Sequence, residues 1–333
     1  MGKMRAKLTV LVTGCGGAVG MGVIKALRIG SRNLRLIGVD MDSYAPFFYL
    51  KNKQYILDKN YVVPDSENPS YIRKIIDICR FENVNVIFPC TDPELERLSN
   101  SIDELANLGI KIIISPSNTI KICRDKWLTY ENLKHHLPMV KSALPEAGIE
   151  KALKSTGLPA IIKPRKGWGS KHIARIDSVE EAQIQLPRFT DPIIQTNLTG
   201  TEYTIDCLAD RNGKVLCIVP RQRIRIYAGL SFQGITVRDE SLIELGKKVA
   251  NKLKFIGPFN FQVIKNCEET KIVEINPRFS GTGILSVMAG ANIPNLALRE
   301  TCNMKIPSKI DFEDGLILTR YFEEVYFKNK AAF

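Results

Sequence analysis

The chain lacks several features that would assign its class at once. No apolar run approaches the roughly 18 residues that a membrane-spanning helix needs. Its eight cysteines form no Cys-x-x-Cys pair, and its three histidines add no partner at metal-ligand spacing. These absences argue against a membrane protein, a disulfide scaffold and a zinc domain. We therefore expect a reduced, cytoplasmic protein.

The charge of the chain is strongly basic. Lysine and arginine number 47 against 35 aspartate and glutamate, a formal net charge of +12. Such an excess favours polyanionic partners. Because the basic residues are spread along the chain and form no basic tail, the excess favours phosphorylated small molecules over nucleic acid. We expect no nucleic acid and no membrane among the partners.

The first third of the chain alternates apolar β-branched runs with amphipathic stretches. At 333 residues, two or three packed units are expected. The predicted strands are Leu8–Val12, Leu34–Val39, Val84–Pro89 and Ile110–Ile114, and the predicted helices are Val19–Leu27, Tyr71–Cys79 and Pro93–Leu105. This alternation is typical of βαβ units with a buried parallel sheet, an α/β fold.

The pattern changes after about residue 115. A helix capped by Asn118 or Thr119 is predicted to run through Lys126 and Trp127. From Ala160 onward, short strands joined by glycine-containing turns predominate, with helices at Glu240–Leu253 and Ile284–Ala289. The remainder of the chain is therefore predicted to be α+β.

A glycine-rich loop, Gly14 to Gly20, follows the first strand and opens a helix. Asp40 ends the next strand, where a dinucleotide fold would place a ribose-binding carboxylate. The third glycine comes one residue late for that motif. Three interpretations stay open: a nicotinamide-dependent oxidoreductase, a contact to substrate or phosphate, and a purely structural turn.

A second glycine-rich loop lies between two predicted strands, within Ala160–Ala174. Lys163 precedes the loop, which contains Gly167, Gly169 and Ser170. Backbone N–H groups of such a loop can surround phosphate oxygens while the lysine supplies a point charge. The Walker A order appears nowhere, and a solvated hairpin is the alternative.

Oxygen-bearing side chains follow two predicted antiparallel strands, Phe259–Ile264 and Lys271–Arg278. Period-two alternation places Asn260, Gln262 and Ile264 on one strand face. It places Ile272, Glu274, Asn276 and Arg278 together on one face of the partner strand. Such oxygen donors suit Mg²⁺ better than Zn²⁺. An exposed polar sheet face is the alternative.

Together these elements resemble the ATP-grasp superfamily, from the front glycine loop to about Asn295, and in particular one synthetase module of the carbamoyl-phosphate synthase large subunit. The resemblance implies a Rossmann-like domain at residues 1–115. It further implies a small ATP-grasp lobe with a glycine-rich lid at 116–190 and a large lobe with the metal and substrate site at 191–333.

The resemblance also implies a role for individual residues. Lys126 and Lys163 would hold ATP phosphates under a lid containing Gly167, Gly169 and Ser170, and Lys163 would also be catalytic together with Arg278, near the γ-phosphate and acyl group. The adenine and ribose would be bound by Gln195, Asn197, Leu198 and Glu202, and the metal by Gln262, Glu274 and Asn276.

The implied function is an ATP-dependent ligase that phosphorylates a carboxylate to an acyl phosphate and transfers the acyl group to an amine. Its cofactors would be ATP and two Mg²⁺ ions, with Mn²⁺ as a substitute. Its partners would be a small carboxylate, an amine and a second copy in a homodimer. A single module that phosphorylates bicarbonate or carbamate, and a non-catalytic ATP-binding module, are the alternatives.

Two further features are candidate substrate contacts. Arg221, Arg223 and Arg225 alternate along one predicted strand, so they would share a face that could bind an anion. The alternative is a solvated edge strand. Ser280 and Gly281 precede a predicted helix and would form an anion site or an ordinary cap there.

Overall fold

Two units make up the chain, and each is described by itself. The first unit comprises Met1–Ile114, Arg278–Phe312 and Thr319–Phe333, and the second comprises Ser115–Pro277 and Glu313–Leu318. The predicted three-part division at residues 115 and 190 stays a prediction.

The structure is a computed structural model that describes residues 7–31, 33–50, 56–167, 169 and 172–328. Ser170, predicted to be part of the lid, lies outside the described residues. In the described part of the chain, no helix is both long and apolar enough to cross a bilayer. The cytoplasmic location stays a prediction.

The first unit begins with alternating strands and helices. These are β1 (Leu8–Val12), α1 (Ala18–Gly30), β2 (Leu34–Asp40), α2 (Pro46–Tyr49), β3 (Lys59–Val62), α3 (Tyr71–Glu82), β4 (Val86–Phe88), α4 (Leu95–Asn100), α5 (Ile102–Asn107) and β5 (Lys111–Ile112).

The strands of the first unit form a parallel sheet in the order β3-β2-β1-β4-β5. Leu11, Ile37 and Ile87 are fully buried, as expected for strands covered on both faces. The predicted parallel sheet is confirmed. The single helix predicted over Pro93–Leu105 is wrong, because the chain forms two short helices that meet at Ser101.

The second unit contains most of the remaining elements. These are α6 (Ser117–Arg124), α7 (Lys126–Leu133), β6 (Ser142–Ala143), α8 (Ile149–Thr156), β7 (Ala160–Pro164), β8 (Ala174–Ile176), α9 (Val179–Gln185), β9 (Pro192–Thr196), β10 (Thr201–Ala209), β11 (Val215–Tyr227), β12 (Leu230–Thr236), α10 (Glu240–Leu253), β13 (Gly257–Lys265) and β14 (Thr270–Asn276), with 3₁₀ turns at Pro145–Ala147 and Leu186–Arg188.

Two antiparallel sheets organise the second unit. The smaller has the order β6-β9-β7-β8, and the larger has the order β14-β13-β10-β11-β12 followed by β15 (Ile317–Thr319). Helices α11 (Ile284–Met288) and α12 (Ile293–Thr301) belong to the first unit, where the Asn292 side chain donates a hydrogen bond to the carbonyl of Ala26 at 2.9 Å.

The larger sheet has one apolar and one polar face. Phe259, Phe261 and Val263 of β13 pack with α10 in a buried cluster that also contains Ile205 and Leu242. Residues one position away along the same strands therefore point to the opposite face. This alternation directs the oxygen-bearing side chains of β13 and β14 away from the core.

The helix predicted from Ser117 through Trp127 is interrupted at Asp125. Asp125 has an extended backbone, and its carboxylate accepts the N–H groups of Trp127 and Leu128 at 2.9 and 3.1 Å. It is therefore the N-cap of α7 and makes Lys126 the first residue of that helix. The predicted caps of α6 are wrong, since the Thr119 hydroxyl donates to the carbonyl of Leu253 instead.

Candidate functional site

A cavity of about 300 Å³ in the second unit is lined by strands of both its sheets. Ten of the residues expected to bind ATP or metal line this one cavity. They are Lys126, Lys163, Gly167, Gly169, Gln195, Asn197, Leu198, Glu202, Gln262 and Glu274. Because they come from separate stretches of the chain, only the tertiary structure brings them together.

Lys163 of β7 is the buried cation of the cavity, with 7% of its surface exposed. Burial lowers the pKa of its ammonium group to about 8; Glu274 and Glu202 oppose this shift, and Lys126 adds to it. A buried ammonium group flanked by carboxylates and a second lysine is well suited to hold an anionic group.

Lys126 is positioned by the cap at the start of α7. Arg165 forms a bidentate ion pair with Asp125, at 2.6 Å for Nη2 and 3.2 Å for Nε. Lys126 Nζ donates to the carbonyl of Gly167 at 3.1 Å, within the second glycine-rich loop. Two contacts of charged side chains, one made by Asp125 and one by Lys126, therefore join the start of α7 to the segment that contains the loop.

The predicted adenine-binding segment comprises β9 and the residues directly after it. Gln195 is buried, and its side-chain amide donates to the Ser142 hydroxyl of β6 at 2.9 Å. Asn197 and Leu198 line the cavity directly after the strand ends. The Gln195 side chain is thus held by the neighbouring strand, which positions the backbone that follows it.

Glu202 of β10 lines the same cavity and is paired with Arg223 of β11. Burial raises the pKa of the Glu202 carboxyl, whereas the Arg223 guanidinium lowers it. The carboxylate predicted to bind ribose therefore has a buried cation as its partner.

Gln262 and Glu274 are direct neighbours across the pair β13 and β14. Two residue pairs further along, the Asn276 side chain donates to Asn260 Oδ1 at 3.3 Å, and Asn276 does not line the cavity. The structure thus places Gln262 and Glu274 at the cavity and Asn276 in the adjacent buried row.

The prediction that Ile272 shares a face with Glu274 is wrong. The register between β13 and β14 shifts after Gln262, so that Val263 pairs with Ile272 and Gln262 pairs with Glu274. This bulge puts Ile272 in the apolar core, fully buried, while Val273 and Glu274 both line the cavity.

The three arginines of β11 have different environments. Arg221 is fully buried and forms a bidentate pair with Asp206 at 2.8 and 2.9 Å. Arg225 is exposed and stands over the Phe232 ring, because the register of β11 against β12 shifts on both sides of it. The edge-strand alternative is wrong, since β11 lies between β10 and β12. A common substrate-binding face for all three stays a prediction.

Arg278 lies in the first unit. Its Nε donates to Asp92 Oδ2 at 2.8 Å, its Nη2 lies 2.6 Å from the same oxygen, and Nη1 donates to the carbonyl of Phe279. Ser280 and Gly281 follow in the same unit, where Arg320 donates to the Gly281 carbonyl at 2.8 Å. The catalytic role of Arg278 and the anion site at Ser280 and Gly281 stay predictions.

Two family models match the chain. Residues 10–113 match the N-terminal domain of PylC-like proteins, and residues 188–322 match an ATP-grasp family of a biosynthetic pathway with the Ter operon.

Curated relatives and solved structures agree with these matches. Formate-dependent phosphoribosylglycinamide formyltransferase of Saccharolobus solfataricus is 23% identical over 90% of this chain and 76% of its own. D-alanine–D-alanine ligase of Petrotoga mobilis is 25% identical over 61% of this chain and 73% of its own. The biotin carboxylase domain of Hydrogenobacter thermophilus 2-oxoglutarate carboxylase, solved as a dimer with MgADP, ADP and bicarbonate, has a TM-score of 0.74 at 17% identity and covers 93% of this chain and 73% of that one.

The family models and the curated relatives together support an assignment of the chain to the ATP-grasp superfamily. The predicted fold class is confirmed, an α/β domain followed by antiparallel α+β lobes. The predicted enzyme class, an ATP-grasp ligase, is confirmed as well.

The front glycine loop differs from a dinucleotide site in its hydrogen bonds. The N–H of Gly16 donates to Asp40 Oδ2 at 2.7 Å, and the N–H of Asp42 donates to Oδ1 at 3.0 Å. Both oxygens of the carboxylate that would bind a ribose already accept backbone N–H groups. The structural turn is therefore favoured over the nicotinamide interpretation.

Sequence reasoning missed part of the cavity lining and most of the contacts that support it. The lining also includes the apolar residues Val140, Ile161, Ile173, Ile264 and Val273. In the sequence, these resemble ordinary strand residues of a core. No local pattern separates an apolar residue that lines a cavity from one that packs in the interior, because both follow the same alternation.

Proposed function

We propose that the chain binds ATP in the cavity of the second unit, phosphorylates a carboxylate to an acyl phosphate and transfers the acyl group to an amine. The observation that carries this proposal is the convergence of ten expected ligand residues on one cavity. The names of two relatives support the substrate classes, a formate-dependent formyltransferase and an amino-acid ligase. We propose a small carboxylate and an amine as substrates, and a homodimer as the assembly.

The residues present fit a magnesium site. Glu274 offers a carboxylate and its strand neighbour Gln262 an amide oxygen, and Asn276 lies two residues further. Among the described residues, no group of three or more His, Cys, Asp or Glu side chains could hold a metal by itself. A hard cation that retains water and phosphate ligands suits such a sparse oxygen set.

The metal is therefore expected to bind together with ATP. We propose two Mg²⁺ ions held by Gln262, Glu274 and Asn276, with Mn²⁺ as a substitute. When bound, these ions would neutralise the negative charge that spreads over the phosphate oxygens.

The residues of the cavity can perform the remaining tasks of phosphoryl transfer. In that reaction a protein mainly aligns the attacking oxygen with the γ-phosphate and neutralises the negative charge on the phosphate oxygens. Lys126 and Lys163 would hold the phosphates, and Glu202 would accept hydrogen bonds from the ribose. The loop containing Gly167 and Gly169 would cover the site and keep water from the acyl phosphate. By resemblance, Arg278 would act near the γ-phosphate and acyl group.

The test is ADP release across a matrix of carboxylates and amines with Mg-ATP. We expect release with at least one pair, and we expect Glu274→Gln or Lys163→Ala to reduce it about 100- to 1,000-fold in folded protein. Glu269→Gln, the same kind of change in the turn before β14, is the matched control and should retain activity. Undiminished ADP formation in both site variants would overturn the proposal. ATP binding without ADP release from any pair would favour the non-catalytic module.

A further inference from the structure

Arg223 is a buried arginine that connects the cavity to a hairpin turn. It is 8% exposed, and its side chain reaches two separate acceptors. Nη1 donates to Glu202 Oε1, and Nη2 donates to the carbonyl of Gly229 at 2.7 Å. One guanidinium group therefore binds a residue of the cavity on one side and the β11–β12 turn on the other.

The turn that Arg223 contacts has an unusual backbone. Tyr227 and Leu230 pair across a two-residue loop whose members, Ala228 and Gly229, have φ of 47° and 75°. Two successive positive φ values give the hairpin turn that matches strand twist, but alanine rarely adopts this conformation. The hydrogen bond from Arg223 to Gly229 helps to hold this turn in place.

The neighbouring arginines of the strand do not have this arrangement. Arg221 pairs with Asp206, which does not line the cavity, and Arg225 is exposed over Phe232. Among the described contacts of these three arginines, the one that reaches a cavity carboxylate is that of Arg223 with Glu202. Alternation along β11 predicted three equivalent residues, whereas the structure distinguishes one of them.

We propose that Arg223 is a positioning residue for recognition of the nucleotide ribose, acting through Glu202, and that it links ribose binding to the hairpin turn at Ala228 and Gly229. This inference rests on the proposed function, in which Glu202 accepts the ribose hydroxyls. Arg223 engages Glu202 Oε1, and within the described residues Oε2 has no hydrogen-bond partner. The pair leaves one carboxylate oxygen available as an acceptor for a ligand hydroxyl.

The charge of Arg223 also keeps Glu202 competent as an acceptor. Burial favours the protonated carboxyl, and the guanidinium opposes that effect. A protonated carboxyl, or one free to rotate, accepts fewer hydrogen bonds from ribose hydroxyls. Loss of Arg223 should therefore reduce the contribution of the ribose hydroxyls to ATP affinity. The contributions of the phosphates and the adenine should stay unchanged.

The test compares the affinity of the full chain for Mg-ATP and for Mg-2′,3′-dideoxy-ATP by calorimetry. The unaltered protein should prefer ATP by about tenfold, as expected for hydrogen bonds to a charged acceptor. Arg223→Gln should lose most of this preference by weakening ATP binding, with the dideoxy analogue nearly unaffected. Glu202→Gln should give the same pattern, and the double variant should show no further loss.

Control variants separate positioning from general damage. Arg211→Gln alters an exposed arginine in the turn at the opposite end of β10 and β11, and it should keep the full preference for ATP. If Arg223→Gln does not fold, Arg223→Lys carries the test, since it retains the charge but cannot bind two acceptors with a planar fork. In the unaltered protein, ATP binding should protect the backbone N–H groups of residues 227–231 from hydrogen exchange. In Arg223→Lys, this protection should be lost.

The outcomes are distinguishable from failure of the proposed function. If the unaltered protein binds neither nucleotide, the proposed function fails and this inference fails with it. If the protein binds ATP but Arg223→Gln keeps its full preference for ATP, or weakens both nucleotides equally, the role of Arg223 is overturned alone.

Discussion

The two glycine-rich loops of this chain look alike in sequence and differ in structure. In the loop from Gly14 to Gly20, the Gly16 N–H bonds to Asp40, and a Cβ on Gly20 would lie 2.3 Å from the Gly14 carbonyl oxygen. In the second loop, Gly167 and Gly169 line the cavity, and a Cβ on Gly169 would meet no atom of the described residues within 4 Å. Glycine content therefore does not identify a ligand loop. What distinguishes the loops is whether the protein itself fills the space beside the glycines.

Replacement of one glycine in each loop gives the sharpest test of this comparison. Gly20→Ala forces a methyl group against backbone atoms that cannot rotate away, and we expect it to lower the free energy of unfolding by about 3 kcal/mol. Urea denaturation measures this loss. The affinity of the remaining folded protein for Mg-ATP should not change.

Gly169→Ala should have the opposite pattern. There is space for the methyl group, but the φ of 71° strains any residue other than glycine, so the loop conformation should shift. We expect stability within about 0.5 kcal/mol of the unaltered protein and reduced ATP turnover. A stability loss as large as that of Gly20→Ala would remove the distinction between the loops.

Titration of Lys163 distinguishes the second loop further, because Lys163 lies in the strand before that loop, whereas the strand before the first loop, Leu8–Val12, contains no lysine. The pKa of about 8 means that Lys163 is charged below this pH and neutral above it. The affinity for Mg-ATP should therefore fall as pH rises from 7 to 9.5, by at most about tenfold per pH unit above 8.

Lys163→Arg is the control for that pH dependence. Arginine stays charged over the whole range, so this variant should bind Mg-ATP with nearly constant affinity. Calorimetric titration at several pH values measures both proteins. An equal decline in both would assign the pH dependence to another group.

Asp40→Asn gives the smallest effect that we predict. In this variant a neutral amide replaces the carboxylate that accepts the Gly16 N–H. The weaker hydrogen bond should lower the free energy of unfolding by about 1 kcal/mol. Affinity for Mg-ATP and ATP turnover should remain unchanged if the first loop is structural. Loss of nucleotide affinity in folded Asp40→Asn would contradict that assignment.

Much of the fold follows from sequence patterns that depend on neighbours along the chain. Strand β1 and helix α10 have the predicted bounds, Leu8–Val12 and Glu240–Leu253, because their apolar residues repeat with a clear period. The helix predicted through Trp127 failed at a single residue. Asp125 prefers to cap the following helix and to pair with Arg165, and Arg165 is 40 positions away in sequence.

The candidate site was predicted only in part, because motifs indicate individual residues but not the partners that lie far away in sequence. Lys163, Glu202, Gln262 and Glu274 were found from the order of motifs, and they line one cavity. Asp92 beside Arg278 and Arg223 beside Glu202 were not found as partners. Such pairs join segments distant in sequence, and no local period indicates them.

The sequence by itself determined most of the strands and helices of the first unit, its buried parallel sheet and the candidate residues for binding phosphate and metal. The tertiary structure decided which of these residues meet. A bulge places Ile272 in the core, and Asp40 accepts hydrogen bonds from a backbone turn. Arg223 pairs with Glu202, whereas Arg221 and Arg225 have other partners. The physical reason is that side-chain period is set by adjacent residues, whereas register and charge pairing are set by strands far apart in the chain.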